Sequence, residues 1–302
     1  HQTCDCLRGL SSADPRVAVI ELDQRSPAEA RNAALAQARG EIIYFLDDDV
    51  TIAPDLFSRA LRIFAERPGL DVLGGPNLTP LTSAPLERCV GQVLASPFGS
   101  ASVSDRYRSR GRLRAADDRS LILCNLAIRR SAIAGRESAF RGHLVCNEEN
   151  VLLGQLALER RTMLHDPELV VYHTRRGTVG GFARQIFRYG RGRCQNTMLM
   201  PSSLSPVFLI PMLFVFYLLS LPIVRSPWYL VPLAVYAATL CIFAVAEALR
   251  ARSPRSVSVF LILFPTCHFA YAGGFLRELG HSALALVKSR PRSEARASSG
   301  EA

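Results

Sequence analysis

Gly40-Glu41-Ile42-Ile43-Tyr44-Phe45-Leu46-Asp47-Asp48-Asp49 is an apolar run that stops abruptly on three successive carboxylates. Its residue types suit a buried strand, whereas adjacent acids repel one another, so a positive group is expected at the strand's C-terminal edge. A divalent cation carrying phosphates fits. Mg²⁺ and Mn²⁺ favour hard oxygen ligands and are commonly held by one or two carboxylates, with substrate phosphates completing the shell. A solvated Asp-rich turn is the competing reading.

The preceding residues, Arg25-Ser26-Pro27-Ala28-Glu29-Ala30-Arg31-Asn32 through Arg39-Gly40, predict an Ala-rich helix with Pro in its first turn and Gly at its end. Helix, turn, strand and acidic tip form an α/β unit with its polar cluster where open α/β sheets place ligands. Together these residues resemble family 2 inverting glycosyltransferases of the GT-A fold, whose usual run is similar to GPAxARNxGxxxARGExIxFLDDD. The resemblance implies a nucleotide-diphosphate sugar donor, with a UDP-sugar favoured. It also implies that Asp47 and Asp49 hold the metal, and that Arg31, Asn32, Asp47 and Asp48 lie at the donor nucleotide.

Further along, Pro54–Glu66 reads as a helix, Leu70–Gly74 as a strand and Leu121–Arg130 as another buried strand. The last is similar to a GxNxAxRR segment of these enzymes, with Leu123 where Gly is usual. That likeness makes Asn125 a sugar-site residue; a satisfied polar group inside a strand is the alternative. In Cys146-Asn147-Glu148-Glu149-Asn150-Val151-Leu152-Leu153, two acids precede leucines at helical spacing, which puts a carboxylate at a helix N-terminus. The family's segment is GEDxxL, so Glu149 takes the place of the catalytic base and Glu148 lies beside the sugar. An acid that merely favours a helix N-terminus is the rival reading. Residues 165–173 read as a turn and a strand ending in His173, the candidate third metal ligand by likeness to a VxxVxH strand, or else a polar strand end. His143 and His165 have weaker claims.

The chain has 302 residues, 49% of them hydrophobic, and a formal charge of +10. Leu204–Val224, Pro227–Ala246 and Ser256–Leu276 contain no charged residue, and each has about the 20 residues that span a bilayer as a helix. Arg175, Arg176, Arg184, Arg188, Arg191 and Arg193 precede the first span, which places the N-terminal domain in the cytoplasm. The tail arginines conflict with a full third crossing; Pro265 and Gly273-Gly274 are expected to let that segment bend or re-enter. The basic residues flank membrane segments or lie in 106–114 and lack an aromatic-interleaved pattern, so nucleic acid is not the expected partner. Eight cysteines without a CxxC pair suggest reduced thiols.

Residues 177–193 read as an amphipathic interfacial helix, with Phe182, Ile186 and Tyr189 toward lipid and Arg184, Arg188 and Arg191 toward headgroups or a leaving diphosphate. Its RQIFRYGRGR run resembles membrane glycosyltransferases of bacterial exopolysaccharide pathways, and residues 268–276 resemble the tail of succinoglycan-type glucosyltransferases. These likenesses assign Arg188 and Arg191 to the acceptor side. The family's opening strands are not seen before Asp47: His1–Ala13 reads as the remainder of a helix and Arg16–Leu22 as the third strand, so an N-terminally truncated domain is expected.

The expected organisation is an α/β GT-A domain over 1–173, an interfacial segment over 174–201, a membrane domain of about three helices over 202–288 and a disordered tail over 289–302. The implied activity is inverting transfer of a hexose to a lipid-linked saccharide at the cytoplasmic face of a bacterial-type inner membrane, in cell-surface polysaccharide synthesis. A catalytically inactive membrane scaffold and a transporter subunit with a cytoplasmic regulatory domain are the alternatives.

Overall fold

The computed structural model describes residues 2–289 apart from Gln24, Glu137 and His143. The secondary claim on His143 and most of the expected disordered tail therefore lie outside the described residues. In chain order the elements are α1 (Gln2–Ala13), α2 (Pro27–Gln37), β1 (Ile42–Leu46), β2 (Val50–Ile52), α3 (Leu56–Glu66), β3 (Val72–Gly74) and β4 (Asn77–Leu78). Next come α4 (Pro85–Ala95), α5 (Pro97–Ser100), β5 (Arg114–Ala115), β6 (Asn125–Arg129), α6 (Arg130–Ile133), α7 (Glu148–Leu158), β7 (Met163–His165) and β8 (Val171–His173). The α-helices that follow are α8 (Val179–Leu199), α9 (Ile210–Ser220), α10 (Val231–Arg250) and α11 (Ser256–Ser289).

Local chemistry starts α2. Ser26 Oγ accepts from the Glu29 amide at 3.3 Å, the Glu29 carboxylate accepts from the Ser26 amide at 2.8 Å, and Pro27 occupies the first turn. This reciprocal cap satisfies two otherwise orphaned donors and fixes where the helix begins. It ends at Ala38, whose backbone is extended, slightly before the glycine expected to stop it.

Two mixed sheets carry the polar cluster. The larger has the order β1-β6-β3-β7-β5 and the smaller β2-β8-β4. β1 pairs antiparallel with β6, from Ile42 opposite Arg129 to Leu46 opposite Asn125. Among the described residues β1 is an edge, so of its five side chains only Phe45 is buried. The expectation of a buried strand is corrected on that ground. Arg16–Leu22, expected as a strand, forms no strand; a strand needs a ladder partner, and none pairs with it among the described residues.

Alternation along the strands builds two cores. Phe45, Val72, Leu126 and Ile128 point to the side covered by α2 and α7, where Phe140 meets Phe45 edge-on at 5.3 Å with Leu152, Leu153 and Leu156. Leu73 and Ala127 point the other way, against Leu56, Ala60, Ile63 and Phe64 of α3. Burying each large side chain contributes about 1.5–3 kcal/mol, which holds the strand ends where the acids emerge.

A third core joins α4 and α8 to α10 and α11 through Val90, Val93, Phe182, Ile186, Ala244, Phe260 and Phe264. Phe182 and Ile186, expected to face lipid, are therefore buried against protein, and Tyr189 packs on the same cluster. Two helical segments, Pro227–Arg250 and Ser256–Leu284, are long and apolar enough to cross a membrane, and only 6% of the first one's apolar window is buried. The expected span 204–224 instead contains the 11-residue helix α9, about 16 Å long at ~1.5 Å per residue and short of a ~30 Å hydrocarbon core. Pro206 and Pro211 favour a 3₁₀ turn and a late helix start there. The last segment does not break: α11 runs unbroken past Pro265 and Gly273-Gly274 to Ser289.

Candidate active site

The acids sit where one sheet hands the chain to the other. β1 delivers Asp47, and β2 begins at Val50, whose register partner is His173. That pairing brings Asp49 to His173, with Oδ2 2.9 Å from Nε2. Across the cleft, α2 supplies Arg31, whose Nη2 donates to Asp47 Oδ1 at 2.8 Å and whose Nη1 pairs with Glu148 at the start of α7. Residues separated by more than a hundred positions are thus joined by one guanidinium. Asp47, Asp49, Glu148, Glu149, His173 and Arg31 all line one cavity of about 570 Å³.

Glu149 is the deepest acid, with its side chain 5% exposed. Burial pushes its carboxyl above the ordinary glutamate range, and neighbouring Glu148 pushes the same way, while Arg106 opposes both. Arg106 Nη1 lies 3.4 Å from Glu149 Oε1, Nη2 donates to Asn150 Oδ1 at 2.6 Å, and Nε donates to the Arg119 carbonyl at 2.8 Å. The carboxylate is thereby oriented as well as partly balanced. Asn147, immediately before α7, adopts a left-handed conformation at φ 60° and ψ 37°. Such a backbone costs an asparagine less than most residues, and it turns Glu148 and Glu149 inward.

Other expected site residues lie elsewhere. Asn32 clamps the 138–140 segment: its Nδ2 donates to the Phe140 carbonyl at 2.7 Å and its Oδ1 accepts from the Phe140 amide at 3.0 Å. Asp48 is exposed and outside the cavity lining. Asn125 is fully buried and satisfied, accepting from Tyr44 Oη at 2.6 Å and donating to the Leu169 carbonyl at 2.6 Å, which is the alternative role open to it from sequence. Arg188 and Arg191 border a separate hollow beside Phe187 and Arg277, and Arg191 Nε is bound by Glu278 of α11 at 2.8 Å. His165 is buried with neither ring nitrogen partnered, and desolvation lowers its pKa to about 4.

Arginines expected at the membrane flank or in the 106–114 loop prove to belong to the cavity. Arg106, Arg175 and Arg193 are each under 10% exposed and line it. No local pattern distinguishes them from their exposed neighbours; only the tertiary approach of α8 and the 101–107 turn to α7 does so. In the 106–114 loop Asp105 holds Arg108 at 2.7 Å and Arg114 at 2.8 Å, while Arg110 and Arg112 are exposed. The eight cysteines are free thiols.

The donor set suits a divalent cation. Asp49 and His173 already converge, His173 Nδ1 is buried without a partner, and Asp47 faces the same cavity. Carboxylate oxygens with one imidazole suit Mn²⁺, or Mg²⁺ with more oxygens. Among the described residues no three His, Cys, Asp or Glu side chains are already gathered as a metal cage. Phosphate oxygens and water would therefore complete the shell.

Residues 2–88 match the family described as Glycosyl transferase family 2. A 50-residue stretch is 48% identical to the succinoglycan biosynthesis protein ExoO of Rhizobium meliloti (strain 1021), covering 16% of this chain and 14% of that protein. The mannosyltransferase PcManGT from Pyrobaculum calidifontis, solved in complex with GDP-Man and Mn²⁺, superposes over 91% of this chain and 74% of its own at a TM-score of 0.54 and 18% identity. TarS of S. aureus, solved with UDP-GlcNAc, is a weaker likeness at a TM-score of 0.44 and 15% identity, over 95% of this chain and 80% of its own. Residues 2–88 thus match Glycosyl transferase family 2, and the chain folds as a GT-A-like α/β domain with mixed sheets followed by C-terminal helices.

Proposed function

We propose that this chain is an inverting glycosyltransferase, moving a hexose from a nucleotide-diphosphate sugar to a lipid-linked saccharide at the cytoplasmic face of a bacterial-type inner membrane. The observation that carries this reading is the convergence of Asp47, Asp49 and His173 with Glu148 and Glu149 in one cavity whose far wall belongs to the C-terminal helices. The nucleotide sugar and Mn²⁺ in the PcManGT structure support the donor class, and the short stretch shared with ExoO supports polysaccharide synthesis. UDP-sugars are favoured as donors on the resemblance alone.

In this mechanism Glu149 takes the proton of the acceptor hydroxyl. The freed oxygen lone pair bonds to the anomeric carbon on the face opposite the diphosphate, and the electrons of the breaking bond leave with the diphosphate. A carboxyl raised by burial is suited to the task, because a base works best with a pKa near the working pH. Arg106 holds the carboxylate in place, and Arg31 fixes Glu148 and Asp47 relative to each other. A divalent cation bound by Asp47, Asp49 and His173 would neutralise the departing diphosphate.

The test is release of nucleoside diphosphate by the membrane-reconstituted protein with a panel of UDP- and GDP-sugars. Asp49→Ala and Glu149→Gln are each expected to lower turnover by at least about 10²-fold, the lower range for a positioned general base. Glu149→Gln should leave donor affinity near native, whereas Asp49→Ala should weaken it. Unchanged turnover in either variant removes that residue from the mechanism.

A further inference from the structure

The cavity does not end at the acids. From Asp49 and Glu149 it continues past Arg175 and Arg193 to a wall of Phe208, Ile210, Phe214, Tyr236 and Tyr271, contributed by the segment before α9 and by α9, α10 and α11. Each carboxylate lining the cavity already has a partner: Arg31 for Asp47 and Glu148, His173 for Asp49, Arg106 for Glu149. Two buried cations hydrogen-bond to no carboxylate. Arg175 is 7% exposed, and its guanidinium meets only neutral groups: Thr79 Oγ1 at 2.9 Å, the Asn77 carbonyl and Oδ1, and the face of Tyr107 at 5.3 Å. Arg193 is 4% exposed and stacks over Phe208 at 4.3 Å. Its nearest carboxylate, Asp118, is 3.9 Å away, too far to hydrogen-bond, and Arg193 Nη1 has no partner.

A buried guanidinium without a matching anion is costly, and bidentate N–H donors match phosphate oxygens in geometry and charge. Both sit where the lining changes from polar to aromatic. We propose that Arg175 and Arg193 cradle the phosphate of an amphiphilic acceptor, whose hydrocarbon chain runs along Phe208, Phe214 and Tyr236 toward the C-terminal helices. This rests on the function proposed above and assigns that site its acceptor class: a saccharide carried on a lipid phosphate, with its sugar hydroxyl beside Glu149, its phosphate at the two arginines and its tail toward the bilayer. The donor diphosphate is the other source of such phosphate, and it belongs at the Asp49 end.

Binding separates the two sources. Farnesyl phosphate, farnesol, inorganic phosphate and UDP with Mn²⁺ would each be titrated into the whole detergent-solubilised chain. Farnesyl phosphate is expected to bind at least about tenfold tighter than farnesol or inorganic phosphate, because both halves of the site are filled. Arg175→Gln and Arg193→Gln should each weaken farnesyl phosphate by about tenfold or more and leave UDP within about twofold, which also reports that the variants fold. Should a glutamine variant fail to fold, the lysine variant at the same position is read instead, with a smaller loss expected for farnesyl phosphate alone. Unchanged farnesyl phosphate binding, or equal losses for UDP and farnesyl phosphate, overturns the assignment. Failure of the native protein to bind UDP while farnesyl phosphate binds through these arginines would instead strike the donor reading and leave the cradle standing.

Discussion

At the scale of single residues, the acids' titration is the sharpest handle. Glu149 must be ionised to accept a proton, and burial holds its carboxyl above the usual range, so the acid limb of the rate profile should lie at higher pH than an exposed glutamate gives. Glu149→Asp keeps a base but shortens its reach, and should move that limb along with lowering the rate; a pH–rate profile of kcat checks both. A folded-state pKa above the unfolded one makes Glu149 stabilising at low pH, and that contribution is lost as pH rises through the folded value. His165 works the other way. Its imidazole falls to about 4 on folding, so its contribution is present above the unfolded value near 6.5 and is lost as pH drops toward 4, worth about 3 kcal/mol at ~1.4 kcal/mol per pKa unit. Chemical denaturation from pH 7 to 4.5 should show a shallower loss of stability in His165→Phe than in the native chain. Asp47, Asp49 and His173 were legible in the sequence because an apolar run ending in acids, and a strand ending in His, are local patterns. The burial of Arg106 and Arg193 was not, since it depends on which helix arrives beside them.

At the scale of elements, α8 is the clearest case of a pattern with two meanings. Its spacing of Phe182, Ile186 and Tyr189 gives one apolar face, which sequence reading assigned to lipid; the structure seats that face on α4 and α11. Amphipathicity fixes that a face is covered, not what covers it. The glycines of the same helix have a separate explanation. A Cβ on Gly190 would come within 2.2 Å of the Tyr271 carbonyl, and one on Gly274 within 2.0 Å of the Phe187 carbonyl, so α8 and α11 touch backbone to backbone. Gly192 in turn faces Cys146, whose carbonyl would lie 2.8 Å from an added Cβ. Gly190→Ala should therefore force the helices apart and destabilise the chain by about 1–3 kcal/mol, as overpacking typically does. Gly180→Ala, which meets only the tip of Arg184, is the control and should change stability by under about 0.5 kcal/mol. Thermal unfolding in detergent measures the difference.

At the scale of the whole molecule, the α/β half followed from helix, strand and acid spacing, while the helical half was legible in composition but not in the lengths of its helices. Three charge-free stretches of similar length gave one 11-residue helix and two long ones, because prolines at 206 and 211 delay the first. Along α10, Val235, Ile242, Val245 and Leu249 are exposed, a surface suited to acyl chains. The protein is expected to stay in the membrane pellet after alkaline carbonate extraction; recovery in the supernatant would exclude a spanning arrangement. The contacts of Gly190, Gly192 and Gly274 have a mechanical consequence. They leave no compliant layer between α11 and the turn that aims Glu149, so tilting α11 to suit a thinner or thicker bilayer should drag the base relative to the acids on β1. Turnover in vesicles of graded acyl length should accordingly peak at one thickness and fall on either side, and Gly190→Ala should flatten that peak.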